Sequence, residues 1–340
     1  MVKLINLYNS FKIKPQHKGS IILIGNFDGL HLGHQKLFTL AKKYKKKHSL
    51  KIGVLTFEPM PKMYFNQNIK NFRISNQQQK ISILKKLHVD FVIIKKFNKD
   101  IKNFRISNQK QKINFLNKLN VDFVITKNFN KEFSKIKSNK FIERILKKKL
   151  KAKFIFVSNN FRFGNKREGD VKQLIEYEKK CDYKIIKPKP LKHKAKIVSS
   201  SLIRNYLQKG KLDKANKLLD RKWSIEGKVQ KGKQLGKKIG FPTANIDIND
   251  YVLAHPGVYS VRVKMTRSPK PIKGIANLGY RPTFNEKKIL LEVHLFNFYG
   301  NLYNKVLTVE FLRFIRKEKK FKNVDQLKRQ IKADLKIAKK

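Results

Sequence analysis

Ten residues, Gly25-Asn26-Phe27-Asp28-Gly29-Leu30-His31-Leu32-Gly33-His34, constrain this chain more than any other stretch of it. An unbroken apolar run, Ile21-Ile22-Leu23-Ile24, leads into them like a buried parallel strand, and Leu37, Leu40, Ala41 and Tyr44 follow at helical spacing. The segment therefore reads as a strand, a tight turn and a helix start. Its glycines let the backbone turn sharply and approach a ligand closely, while the first helical turn offers amide N–H groups and the positive end of the helix dipole to an anion. His31 and His34, three residues apart on that turn, can both donate hydrogen bonds to phosphate oxygens. A single histidine or a pair of turn glycines would be ordinary structure. Combined with Asp28 at a strand-to-helix turn, they point to phosphate handling.

The following sequence supplies a scaffold for such a turn. Apolar strands are expected at 51–57, 89–94, 121–126, 154–157 and 183–186, with helical patterns between them, which implies an α/β unit whose parallel sheet is covered on both faces. Within it lies a tandem repeat: residues 69–100 and 101–132 align without gaps, and 24 of the 32 pairs are identical. Each copy reads as a helix (76–87, 108–119) followed by a strand. Two copies are too few for a solenoid, so the repeat reads as a duplication. The second copy is expected to add a strand beyond the sheet edge through another right-handed crossover, the competing arrangement being a copy looped out of the fold. From Trp223 the pattern changes to short β-branched and aromatic segments at 223–229, 257–263, 274–277, 290–296 and 306–314, separated by turns, as in an antiparallel barrel or sandwich. A closing helix is expected over 324–338, with Leu327, Ile331 and Leu335 on one stripe. The division is 1–205, a helical linker 206–221, and 222–340.

Composition narrows the classes. There are 81 basic and 23 acidic residues, for a net charge of +58, but only 13 of the basic residues are arginine. The lysines are spread along the whole chain beside abundant Asn, Ile and Phe. AT-rich codon drift explains that distribution better than a base-reading surface, so no specific nucleic-acid partner is expected, although the field would still attract anionic small molecules. A single cysteine, Cys181, excludes internal disulfides and a thiolate metal cluster. No apolar stretch reaches membrane-spanning length and residues 1–20 carry no signal-peptide core, so a cytoplasmic protein without membrane contact is expected. The sequence leaves the oligomeric state open.

Further constellations carry chemistry. The loop Asn160-Phe161-Arg162-Phe163-Gly164-Asn165-Lys166-Arg167-Glu168-Gly169-Asp170 follows a strand end, where ligands sit in parallel sheets; by itself it is equally a solvated charged loop. In Val198-Ser199-Ser200-Ser201-Leu202-Ile203-Arg204, the serines suit a helix N-cap and, with Arg204 one turn in, a second anion contact. Gly227, Gly232, Gly236 and Gly240, then Phe241-Pro242-Thr243-Ala244-Asn245, form a glycine-rich flap that can close over phosphates, with Thr243 and Asn245 as oxygen ligands for Mg²⁺. Strand alternation places Glu292, His294 and Phe296 opposite Leu291, Val293 and Leu295. Glu292 could accept a proton from an attacking hydroxyl, but spacing alone also fits an exposed strand carboxylate.

Taken in order, these segments resemble the bacterial bifunctional riboflavin kinase/FAD synthetases over nearly the whole chain, including Pro256-Gly257-Val258-Tyr259, 277–283 and Arg316-Lys317-Glu318-Lys319-Lys320-Phe321. The resemblance implies a Rossmann-like nucleotidyltransferase domain followed by a kinase barrel, with ATP, riboflavin and FMN as substrates and Mg²⁺ as cofactor. It assigns His31 and His34 to catalysis of adenylyl transfer, with Gly25, Asn26, Phe27, Asp28, Gly29, Gly33, Arg162, Ser199, Ser200 and Arg204 around ATP. In the barrel it assigns Glu292 as base, Thr243 and Asn245 to metal and nucleotide, and Gly227, Gly232, Gly240 and Pro242 to the second ATP. Asn160, Tyr259, Arg316, Glu318 and Phe321 are implied for flavin. Ser158, Asn160 and Lys231 stand where the family usually has Gly, often Asp and frequently His.

Overall fold

The computed structural model describes residues 6–8, 10–58, 77–87, 89, 91–96, 134–232, 234–248, 251–265, 270–282 and 287–339. They form two compact units, the first running to Ile197 and the second from Val198, with Gln77 grouped with the second.

The first unit is a parallel sheet of six strands: β1 (Asn6–Tyr8), β2 (Ile21–Ile24), β3 (Ile52–Glu58), β4 (Phe91–Lys96), β5 (Phe154–Phe156) and β6 (Lys184–Ile186), in the order β1-β4-β3-β2-β5-β6. β2 is central and all four of its residues are buried. Its pleat sends Ile21 and Leu23 to one face, against Leu37, Phe38 and Ala41 of helix α1 (Leu32–His48) and Leu84 of α2 (Gln77–Lys86). Ile22 and Ile24 go to the other, against Phe141, Ile142, Ile145 and Leu146 of the π-helical stretch Phe141–Lys149. A strand buried on both faces has no polar positions, which is why it reads as a continuous apolar run.

The first repeat copy contributes α2 and β4. Its strand is interior, not an edge: Phe91, Val92 and Ile93 pair with Asn6, Leu7 and Tyr8 on one side, while β3 holds the other. A strand expected beyond the sheet edge finds no free edge at β4, because β1, three residues long and too polar in pattern to stand out in the sequence, occupies it. The second copy, 101–132, lies outside the described residues.

In the second unit, helices α3 (Ser200–Gln208) and α4 (Leu212–Leu219) precede a closed antiparallel barrel. Its strands are β7 (Ser224–Gln230), β8 (Ala244–Asp247), β9 (Gly257–Met265), β10 (Ile272–Pro282), β11 (Lys287–Leu295) and β12 (Val306–Lys317), in the order β8-β11-β10-β9-β12-β7. Pairing of Asn245 and Ile246 with Gln230 and Val229 closes the ring. The short β8 is absent from the sequence-derived strands, because its four residues share a segment with the glycine-rich flap. The interior holds Trp223, Tyr259, Val261, Leu278, Leu291, Val309 and Phe311, and α5 (Val324–Lys339) follows the last strand.

Asn216 ties α4 to the barrel. Its buried amide accepts from the Trp223 backbone N–H at 2.7 Å and donates to the Phe311 carbonyl at 3.5 Å. Asn216→Ala would strand that buried N–H, and is expected to destabilise the barrel by about 1–3 kcal/mol. Trp223 is the only tryptophan, so urea unfolding followed by its fluorescence measures the loss directly.

Candidate functional site

In an open parallel sheet, ligands bind beyond the carboxyl ends of the strands where chain order reverses. After β2 the chain runs to β3 and β4 on one side, then returns to β5 and β6 on the other. The reversal therefore falls between β2 and β5, and the loops that leave those adjacent strands carry the predicted residues.

After β2, Phe27, Gly29 and Leu30 take left-handed φ values of 48°, 77° and 41°. Glycine adopts this freely, whereas Phe27 and Leu30 are held there by burial among Leu37, Phe38 and Leu84. His31 is extended and caps α1, its carbonyl accepting the amides of His34 at 2.8 Å and Gln35 at 3.0 Å. The two imidazoles stack with centroids 3.7 Å apart and planes 19° from parallel. The Phe27 ring meets His34 edge-on at 5.2 Å and Phe38 at 5.4 Å. Gly25 leaves room for that ring, since a Cβ there would stand 3.2 Å from it. Asp28 and His31 are buried beside the loop, and Gly33 lies in the first helical turn.

The Asn26 carbonyl is fixed by two donors, the Thr56 hydroxyl at 3.3 Å and the Lys80 ammonium at 2.6 Å. Lys80 is 4% exposed. Sequence reading passed over it because a lysine in a helix of Gln, Lys and Ser resembles a solvated face. The available signal is that the second copy keeps a lysine, Lys112, at the same place.

Beyond β5, the Ser158 hydroxyl donates to the exposed Asn160 side chain at 3.0 Å. Arg162 pairs with Asp170 at 3.4 Å, and Asp170 caps the short helix Val171–Glu176 by accepting from the Gln173 amide. That amide, followed by the charge of Arg162, holds the Asp170 carboxyl below its ordinary range. Ser199 caps α3, accepting from the Leu202 amide at 3.2 Å, and Ser200 and Arg204 lie within the helix. This helix belongs to the second unit, where its Leu207 carbonyl accepts the His255 amide at 2.9 Å.

On the barrel, Glu292 stands opposite Asn245 of β8 on one side and Asn277 of β10 on the other, so one row of three strands carries two amides and a carboxylate. Leu291, Val293 and Leu295 face inward, and Glu292, His294 and Phe296 are partly exposed, as the alternation requires. Asn277 was not singled out in the sequence, since only the register places it beside Glu292. Asn245 is 7% exposed and its Oδ1 is buried with no hydrogen-bond partner among the described residues. The flap lies close to it: a Cβ at Gly232 would collide with the Asn245 amide, and one at Gly236 with the Phe241 carbonyl. Gly240 turns at φ 88°. The His294 Nδ1–H donates to the Pro242 carbonyl at 2.8 Å and anchors the flap to β11, while Thr243 is exposed where β8 begins. Gly227 sits within β7 opposite Leu307.

At the end of β12, Glu318 approaches Gly279 so closely that no Cβ would fit there. Desolvation, then repulsion from the Glu292 carboxylate, pushes its carboxyl above the usual range. Arg316 is bidentate on Asp334 of α5, with contacts of 2.9, 2.9 and 2.7 Å, and its guanidinium lies 5.8 Å from the Phe321 ring. Asp334 is 2% exposed and also accepts from Gln330 at 2.9 Å. The sequence showed only the apolar stripe of that helix. Tyr259 stands apart from this cluster: it is interior, its hydroxyl donates to the His255 carbonyl, and its ring packs on Phe311 and Phe314. Burial pushes its phenol pKa up.

Comparison with known proteins gives two family matches. The riboflavin kinase family covers residues 219–340, and the FAD synthetase family covers 13–104 and again 97–202, the two segments meeting in the repeat. Bifunctional riboflavin kinase/FMN adenylyltransferases of Buchnera aphidicola from Schizaphis graminum and of Haemophilus influenzae are 36% and 35% identical, over 96% and 95% of this chain and 96% and 94% of theirs. A solved structure titled as a macrolide-efflux protein from Streptococcus pneumoniae superposes with a TM-score of 0.77 at 26% identity, covering 99% of each chain. No helix among the described residues is long and apolar enough to cross a membrane. With both enzyme families matched on one chain and relatives aligned end to end, the protein belongs to the bifunctional riboflavin kinase/FMN adenylyltransferases.

Proposed function

We propose that the two clusters divide the two reactions of a bifunctional riboflavin kinase and FMN adenylyltransferase as their geometry suggests. The N-terminal loop takes the triphosphate of ATP. As the FMN phosphate attacks the α-phosphorus and pyrophosphate departs, charge builds on oxygens that the stacked His31 and His34 pair and the first-turn amides can meet without reorganisation. Asn26, Phe27, Asp28, Gly25, Gly29 and Gly33 shape that cradle. Asn160 and Arg162 leave the neighbouring strand end. In the second unit, the helix start of Ser199, Ser200 and Arg204 suits an anion of its own. The observation that carries this reading is the stacked imidazole pair at the helix start beside the topological switch point.

On the barrel, Glu292 accepts the proton of the riboflavin 5′-hydroxyl as that oxygen attacks the γ-phosphorus and ADP leaves. Glu318 lies near enough to feel its charge, and Arg316 and Phe321 shape the flavin side, while the interior Tyr259 supports the barrel wall. Thr243 and Asn245 fit a Mg²⁺ ion: the buried, unsatisfied Asn245 Oδ1 is a hard oxygen beside the flap glycines. Bound there, Mg²⁺ would neutralise phosphate charge. Gly227, Gly232, Gly240 and Pro242 would close over the nucleotide. The dispersed lysines fit no specific nucleic-acid role, and a single cysteine suits a cytoplasmic enzyme.

Replacing His31 and His34 together by Ala is expected to abolish FAD formation while FMN formation survives, since each preorganised donor is worth roughly 10²–10³ in rate. Separation of the flavin products reads both; equal loss in a folded protein defeats the two-site assignment. Glu292→Gln is expected to lower riboflavin phosphorylation by about 10²–10⁴ and leave adenylylation of supplied FMN intact. Steady-state kinetics of each half-reaction test this, and unchanged kinase turnover would leave Glu292 a strand residue only. Deleting 101–132 leaves α2 and β4 in place, and both activities are expected to persist within a few-fold; loss of FAD synthesis from a stable deletion protein would place the second copy in the site.

A further inference from the structure

The tandem repeat supplies no residue to either proposed reaction centre, yet its first copy reaches the adenylyl-transfer loop. We infer that Lys80 is a positioning residue for FMN adenylylation, and that the first copy, through this side chain, is the functional one. The inference rests on the assignment of His31 and His34 to that reaction.

Lysine is among the side chains least often fully buried, because its ammonium gives up strong hydration. Lys80 is 4% exposed, and its Nζ lies 2.6 Å from the Asn26 carbonyl. The same carbonyl accepts the Thr56 hydroxyl from β3, and Thr56 is itself 3% exposed. One peptide oxygen is thus held from a helix and from a strand at once. The next residue is Phe27, whose left-handed backbone (φ 48°) turns its ring onto His34 at 5.2 Å, and His34 stacks on His31 at 3.7 Å. Fixing the Asn26 carbonyl therefore fixes the Phe27 turn, and the Phe27 ring fixes one face of the imidazole pair. A charge-assisted hydrogen bond is roughly twice as strong as a neutral one, so Lys80 is the dominant of the two restraints. Its sequence counterpart in the second copy is Lys112, 32 residues later, which provides a matched control within the same chain.

The test uses the full-length protein and its two activities. Lys80→Met keeps the apolar stem and removes the donor. Because misplacement of about 1 Å costs on the order of 10²-fold, kcat for FAD formation from FMN and ATP should fall by about that factor, with KM for ATP changing far less. Riboflavin phosphorylation in the same samples should be unchanged, which shows the second unit to be folded, and the retained KM for ATP in adenylylation shows the same of the first. Lys112→Met should match the unsubstituted protein. Thr56→Val and the double variant complete a cycle on kcat: since both donors act on one oxygen, the two losses should be non-additive. Unchanged FAD synthesis in Lys80→Met, additive losses in the cycle, or a loss caused by Lys112→Met instead would each overturn the inference. Should Lys80→Met misfold, Lys80→Gln decides: its shorter side chain and neutral donor should still lower kcat for FAD formation, and a normal kcat there overturns the inference. Failure of His31→Ala with His34→Ala to reduce FAD formation would instead defeat the site assignment on which it rests.

Discussion

The N-terminal unit depends on the burial of one four-residue strand. Ile21 to Ile24 are sealed on both faces, and each such side chain removed from water contributes roughly 1.5–3 kcal/mol. That burial sets the height at which the backbone leaves the sheet. The turn at Gly25 then starts from a fixed point, and the left-handed conformations of Phe27 and Leu30, costly in isolation, are sustained because both side chains are locked into the same core. The stacked histidines are the outer end of this chain of constraints.

The barrel solves a similar problem by register instead of by a turn. Glu292, Asn245 and Asn277 come from three strands widely separated in sequence, and they share a row only because the antiparallel ladders align them. Glycines at 232, 236 and 279 admit neighbouring groups to within distances that no Cβ would permit. Close approach of backbone to side chains is thus a shared device of both sites. The Arg316–Asp334 pair then joins the last strand to the final helix, and its burial makes its bidentate geometry matter: a partner left alone there would be an uncompensated buried charge.

The first repeat copy is built into the sheet beside the loop after β2. β4 is interior, with β1 covering its outer side, so the first copy is built into the sheet on both edges. Such a unit contributes hydrogen bonds to two neighbours, and α2 contributes Leu84 to the core and Lys80 to the loop. The family match, split into 13–104 and 97–202, agrees with a domain that needs the unit once.

The strand, glycine turn and helix start around 21–48 were legible from residues alone, because they are local features whose spacing is set by backbone geometry. The same holds for the alternation around Glu292 and the Ser199 cap, both of which depend on periods of two or four residues. Long-range features were not legible. The position of β4 depended on three residues near the N-terminus, and the partnership of Glu292 with Asn277 depended on register. The burial of Lys80 and Asp334 depended on which helix face met which strand. A charged side chain looks the same in sequence whether it meets water or a carbonyl, and only the tertiary structure brings that partner from 54 residues away for Lys80 or 18 for Asp334.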